Sequence, residues 1–267
     1  MRLEIALCQL RPLFGNPEGN ARTISDLTAS DEADVLVFPE CFLTGYGTDS
    51  AELGARVEEA VGRLERVCAE NGKAIAVGTP LVTDRGITNS LLFITPERTV
   101  VYDKTHLARF GIYSEDGYMP GDGPAVAEYR GMTFGLSICY DVFFPEVLHC
   151  CSLMGSDVNL CVSASAVQSM PYFDRILPAR ALEDVTYLAF VNNTGTIDGL
   201  DMAGMSRALD PLGETVLKMD AEPGISRFVA DTEVLAESRR VRHHLDDFRS
   251  DIEWDRWLQA RSHCQTL

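Results

Sequence analysis

The sequence predicts an α/β layered fold, and three observations carry that expectation. Short apolar runs with β-branched residues, such as Val35-Leu36-Val37-Phe38 and Val158 to Val162, have the length of buried strands. Segments that read as helices alternate with them along the chain. No Pro/Gly/Ser-rich linker or break in composition divides the 267 residues, which fits one α/β unit.

Taken in order, the first strand falls near residues 3–9 and a helix follows near 18–29. The run at 34–38 is the second strand, and it must stop at Pro39, which cannot donate to a ladder. A helix near 51–71 leads into strands near 74–79, 89–95 and 99–103. Met132 to Ile138 gives a strand near 133–138, and the apolar stretch from Phe144 to Met154, opened by Pro145-Glu146, gives a helix. A strand near 158–162, a helix near 172–183 and a strand near 186–192 come next. Strands near 203–210, 214–218 and 226–230 and a helix near 232–239 complete the pass. Apolar residues make up 46% of the chain, ample for a core.

Three of these runs, and the separate island Ser114-Glu115, present reactive side chains. Glu40 follows Pro39 at the end of the second strand, where carboxylates of α/β sheets commonly face a crevice. Lys104 ends Thr99-Val100-Val101-Tyr102-Asp103, and in a partly desolvated crevice it can stabilise a developing oxyanion. Ser114-Glu115 supplies a second carboxylate. Cys139 lies at a strand-to-helix turn, which exposes a nucleophile and aims backbone N–H groups at a nascent oxyanion. Each residue alone has an ordinary reading: a surface Glu, a solvated Lys, a Cys acting as a small buried hydrophobe. His106, next to Leu107, suits a structural histidine and receives no catalytic role.

In order, the contexts F-P-E, Y-D-K-T-H-L and I-C-Y-D-x-x-F-P-E resemble the nitrilase superfamily of carbon–nitrogen hydrolases. Gly78-Thr79, Asn89-Ser90, Pro120-Gly121-Asp122, Ala179-Arg180-Ala181-Leu182-Glu183, Asn192, Gly204-Met205-Ser206 and Asp210-Pro211-Leu212-Gly213 extend the resemblance over nearly the whole chain. It implies a four-layer αββα sandwich of two mixed β-sheets that dimerises. It also implies Glu40 as general base, Lys104 as oxyanion stabiliser, Cys139 as nucleophile with the backbone N–H of Tyr140 at the oxyanion, and Glu115 as orienting carboxylate. The run from Glu115 to Gly121 is one residue shorter than the usual family spacing, so Asp116 stands as the alternative to Glu115.

Asp141 is expected to cap the following helix, Glu146 to complement its dipole, and Arg180 to pair with Glu183 one turn away. The resemblance also places Ala164, Ser165, Ala166 and Val167 in a pocket wall beside Cys139. Tyr46 and Tyr113 are candidates for its mouth, with packing as the ordinary reading of aromatic residues near turns. Arg109 and Arg175 are candidates to receive the carboxylate of an acidic substrate, with a solvated surface Arg as the equal reading of each. Nitrilases proper carry C-W-E at the nucleophile, whereas Cys139-Tyr140-Asp141 is closer to the amidase branches. The expected reaction is therefore hydrolysis of a small amide through a thioester. N-carbamoyl-amine hydrolysis, nitrile hydrolysis and acyl transfer to a non-water acceptor are the alternatives on the same residues.

The net charge of −17 argues against binding nucleic acid or an anionic membrane, both of which need a basic face. Eight cysteines form no CxxC pair, and Leu3 to Leu10 reads as a strand carrying Glu4 rather than as a leader. A cytoplasmic, reduced protein without metal or cofactor is expected. Residues 241–267, with Leu245, Phe248, Ile252, Trp254 and Trp257 among many charges, are read as a tail of the single domain 1–267 that packs at a homodimer interface. Packing on its own subunit is the alternative.

Overall fold

The computed structural model describes residues 1–48, 50–109, 114–197 and 199–249. Its first sheet is built on β1 (Arg2–Gln9), β2 (Val35–Val37) and β3 (Ala74–Thr83), which run parallel, followed by antiparallel β4 (Gly86–Ile94) and β5 (Thr99–Asp103). The short β6 (Tyr118–Met119) also lies on β4. The second sheet contains β7 (Ala125–Tyr129), β8 (Met132–Ile138), β9 (Val158–Ser163), β10 (Tyr187–Asn192), β13 (Arg207–Leu209) and β14 (Thr215–Lys218). Its order is β14-β13-β10-β9-β8-β7, with β8, β9 and β10 parallel. Between β10 and β13 a separate hairpin forms from β11 (Thr194–Ile197) and β12 (Leu200–Ala203). The last strand, β15 (Gly224–Asp231), returns to the first sheet along β1, giving the order β15-β1-β2-β3-β4-β5.

Strand alternation explains the layering. Ile5 and Leu7 of β1 point with Phe93, Phe134, Leu136 and Val162 into the space between the sheets, while Ala6 and Cys8 face outward. The Phe93 and Phe134 rings meet across that space at 4.9 Å. Outward residues of the first sheet pack on α1 (Pro17–Ser30) and α2 (Ser50–Asn71). Those of the second pack on α3 (Pro145–Leu153) and α4 (Met170–Asp184). The result is the expected αββα sandwich of two mixed sheets. Caps fall where the sequence allows them: Asn16 accepts from Gly19 N–H at 3.0 Å with Pro17 opening α1, and Asp231 accepts from Glu233 N–H at 2.9 Å at the start of α5 (Thr232–Val241).

Three expectations change. The strand expected at 203–210 is two, β12 and β13, separated by a turn in which Met205 has φ +59°. Gln9 accepts from Ser206 N–H and Asn192 donates to the Gly204 carbonyl, so this turn is pinned to both sheets. Strands β6, β7 and β11 also lie outside the runs expected from the sequence. Finally, Asp141 does not cap α3, whose first turn has no side-chain cap; its carboxylate is used elsewhere.

Of the tail, residues 241–249 are described, and here Phe248 lies edge-on to the His149 ring of α3 at 4.9 Å, on its own subunit. Ile252, Trp254 and Trp257 fall outside the described residues. No helix among the described residues is long and apolar enough to cross a membrane.

Candidate active site

The parallel strands β2, β8, β9 and β10 end at the same edge of the sandwich, and the reactive residues collect there. After β2 the chain turns sharply through Pro39-Glu40-Cys41, with Cys41 at φ +50°. Gly78 makes that turn possible. A Cβ on Gly78 would sit 2.5 Å from both the Glu40 Cα and the Cys41 nitrogen, so only glycine lets β3 lie against it. Gly121 does the same for Lys104: it donates to the Lys104 carbonyl at 2.9 Å, and a Cβ there would run into the Asp103 carbonyl oxygen.

The two carboxylates and the amine form one buried cluster. Lys104 Nζ lies 2.7 Å from Glu40 Oε1 and 2.9 Å from Glu115 Oε1, with all three side chains at most 2% exposed. Asn89 on β4 donates its Nδ2 to the same two oxygens, at 2.8 Å and 2.7 Å. The remaining oxygens are also bound, Glu40 Oε2 by Ala164 N–H at 2.7 Å and Glu115 Oε2 by Ala108 N–H at 2.6 Å. Glu115 therefore occupies the cluster. Asp116 points away, largely exposed, to Ser114 and Arg109.

Cys139 follows β8 with φ +47° and opens a 3-10 turn, Cys139–Phe143, that leads into α3. A β-carbon in this left-handed conformation is uncommon, and such strain recurs where a fold holds a side chain for chemistry. The thiol is partly exposed, 3.3 Å from the Ser165 hydroxyl. Burial, then Glu40, push it up to about 11, while Lys104 and the hydroxyls of Ser163 and Ser165 pull the other way. Burial is also the main reason that the Glu40 carboxyl titrates above the usual carboxylate range, with Glu115 adding to it and Lys104 and Asn89 opposing. For Lys104, burial disfavours the ammonium, but Glu40 and Glu115 outweigh it and hold the pKa well above the ordinary value. The cluster thus pairs a thiol with a carboxyl group raised in basicity and a lysine held as its cation.

Asp141 clasps the Cys139 turn to the Lys104 turn. Its carboxylate accepts from Ile138 N–H at 3.0 Å, His106 N–H at 2.8 Å and the Tyr102 hydroxyl at 2.8 Å. The His106 ring stacks on Phe144, with the ring centroids 3.7 Å apart. Arg180 pairs with Glu183 as expected, but its guanidinium also donates to the carbonyls of Val142 and Phe143, fixing the far end of the 3-10 turn. Asn192 and Asn193 tie the second sheet to the site: Asn192 bonds Ser165 through both its N–H and its carbonyl, and Asn193 donates to the Glu40 carbonyl.

A cavity of about 470 Å³ opens onto Cys139 and Tyr140, with Tyr46, Ala164, Ser165 and Ala166 in its wall. Val167 is exposed beyond it, and Tyr113 lies outside the described residues. Asn89, Asn193 and Asp141 are site contributors to which sequence reasoning gave no such role. For Asn89 the available signal was an amide leading into the apolar run Leu91-Leu92-Phe93-Ile94, which burial tolerates only when it is bonded. Among the described residues no group of three His, Cys, Asp or Glu is placed to hold a metal ion, and the seven described cysteines are free.

Residues 4–239 match the carbon-nitrogen hydrolase family, and the chain belongs to it; it is an enzyme acting on carbon–nitrogen bonds other than peptide bonds. Among its relatives, 2-oxoglutaramate amidase of Bacillus subtilis is 30% identical over 268 residues, covering 94% of this chain and 100% of the relative. An omega-amidase of Yersinia enterocolitica is 31% identical, covering 83% and 86%. Among solved structures, a carbon–nitrogen hydrolase superfamily protein of Xanthomonas campestris with an arsenic adduct in its active site has a TM-score of 0.83 at 25% identity, covering 94% and 98%. A cysteine-to-alanine mutant of an amidase from Nesterenkonia sp. AN1 in complex with butyramide has a TM-score of 0.78 at 26% identity, covering 92% and 97%.

Proposed function

We propose that this chain is an amidase that hydrolyses small amides to carboxylate and ammonia through a thioester on Cys139. The observation that carries the reading is the buried Glu40–Lys104–Glu115 cluster beside a thiol at a strained strand-to-helix turn. The amidases among its relatives and structural neighbours support the amide over the nitrile or carbamoyl group.

In the proposed cycle Glu40 takes the Cys139 proton as the sulfur attacks the amide carbon, so that a C–S bond forms and negative charge moves to oxygen. Lys104 and the Tyr140 backbone N–H stabilise that oxygen. Collapse breaks the C–N bond, and Glu40 returns its proton to the nitrogen, releasing ammonia. Water then gives a proton to Glu40 and attacks the thioester. Breaking the C–S bond frees the acid, and Glu40 reprotonates the sulfur. Glu115 keeps Lys104 and Asn89 aligned on Glu40 and takes no proton in this scheme.

The single domain, the cytoplasmic setting and the homodimer belong to the same proposal. Ammonia release from primary amides, nitriles and carbamoyl-amines, with Cys139→Ala as blank, tests the chemistry. Release from amides above the blank is expected. Release from nitriles or carbamoyl-amines alone would replace the reading.

A further inference from the structure

We propose that the acyl half of the substrate is uncharged and apolar: a neutral aliphatic or aryl-alkyl amide, not the monoamide of a dicarboxylic acid. This rests on the amidase reading above and names the substrate class of that site. Among the described residues, none lining the cavity on Cys139 carries a charge. Its lining is rich in aromatic and aliphatic groups, Tyr140, Phe143, Tyr172, Phe173 and Leu200 among them, and its polar groups, Tyr46, Ser165, Gln168 and Ser169, are neutral.

A substrate carboxylate seated there would need a cation, because a desolvated anion without a partner is strongly disfavoured. The neighbouring cations are committed elsewhere. Arg109 is largely exposed and faces Asp116, and Arg175 is exposed and donates to the Pro171 carbonyl. Arg180 holds the Val142 carbonyl and Glu183, and Arg207 pairs with Asp174. Lys104 already serves two carboxylates, so the reactive centre presents an excess of negative charge to an incoming anion. The net charge of −17 adds a repulsive long-range field. At about 470 Å³ the cavity also has room for more than an acetyl group.

The test is the ratio of kcat/KM for pentanamide, 3-phenylpropanamide and glutaric acid monoamide, the last differing from pentanamide by a carboxylate in place of the terminal methyl. Both neutral amides should exceed the monoamide by roughly 100-fold or more. Gln168→Arg, at an exposed position on the cavity rim, should raise the monoamide's kcat/KM relative to pentanamide by roughly tenfold. A wild-type enzyme that turns over the monoamide as well as pentanamide overturns the neutral-acyl proposal and leaves the amidase reading standing. Absence of turnover on all three, level with Cys139→Ala, overturns the amidase reading itself.

Discussion

Replacing Lys104 by Met tests how the charges of the site are balanced. The ammonium sits 2.7 Å from Glu40 and 2.9 Å from Glu115, and Lys104→Met would leave both carboxylates buried with only amide donors. Removing one partner of a buried ion pair costs about 3–5 kcal/mol. At about 2–4 °C per kcal/mol for a chain of this size, thermal unfolding should move down by roughly 6–20 °C. The loss should depend on pH in a definite direction. Glu40 already titrates above its ordinary range, and removing the lysine raises it further. A carboxyl with a raised folded pKa destabilises only where it must ionise, so the deficit should be small below the unfolded pKa and grow as pH rises through the folded one. Glu115→Gln in the Lys104→Met background removes one uncompensated carboxylate and should recover stability, with a coupling of about 1 kcal/mol or more. Circular dichroism melts of wild type, both single variants and the double variant at pH 5 and pH 8 measure this. A Lys104→Met melt within 2 °C of wild type at pH 8, or a double variant less stable than Lys104→Met, would refute the charge balance described above.

Other perturbations separate chemistry from scaffold. Cys139→Ala should abolish ammonia release with an unchanged circular dichroism spectrum, whereas Cys150→Ala on α3 should leave turnover intact; equal losses would remove Cys139 as nucleophile. The kcat/KM profile should have an acid limb above the ordinary carboxylate range, because the proposed base, Glu40, must be ionised to act and burial raises its pKa. Glu40→Gln should lower kcat roughly 10²–10⁴-fold, and a normal rate would exclude it as the base. Gly78→Ala should lower kcat by roughly 10–100-fold with little change in KM, since its Cβ would press on the backbone of Glu40; unchanged kinetics would show that the turn tolerates the shift. Asp141→Asn should cost about 1–3 kcal/mol in denaturant unfolding, because an amide cannot accept all three donors that now converge on the carboxylate.

Much of the fold was legible because the central parallel strands are continuous apolar runs, and the reactive residues stand where those runs stop. Glu40, Lys104 and Cys139 are legible for that reason, and they lie at strand ends. What escaped has physical causes. The strand β7 is Ala-Val-Ala-Glu-Tyr, whose small residues have weak strand preference and are held by pairing with β8. The β11–β12 hairpin carries an Asp-Gly signal at 198–199, but its strands have four residues each and Gly195 interrupts one. The sequence suggests a local cap for Asp141, whereas two of its three donors, Tyr102 and His106, lie more than thirty residues away. Asn89 bonds Glu40 across 49 residues of sequence. Such contacts exist only once the strands are laid side by side.

The acyl-enzyme on Cys139 is the centre of this account, and intact-mass measurement of rapidly quenched enzyme during turnover of a primary amide tests it most directly. The predicted result is an added mass equal to the amide less ammonia, mapped by peptide digestion to Cys139 and absent from Cys139→Ala. Steady turnover in Cys139→Ala, or an acyl group mapped to a different residue, would contradict it.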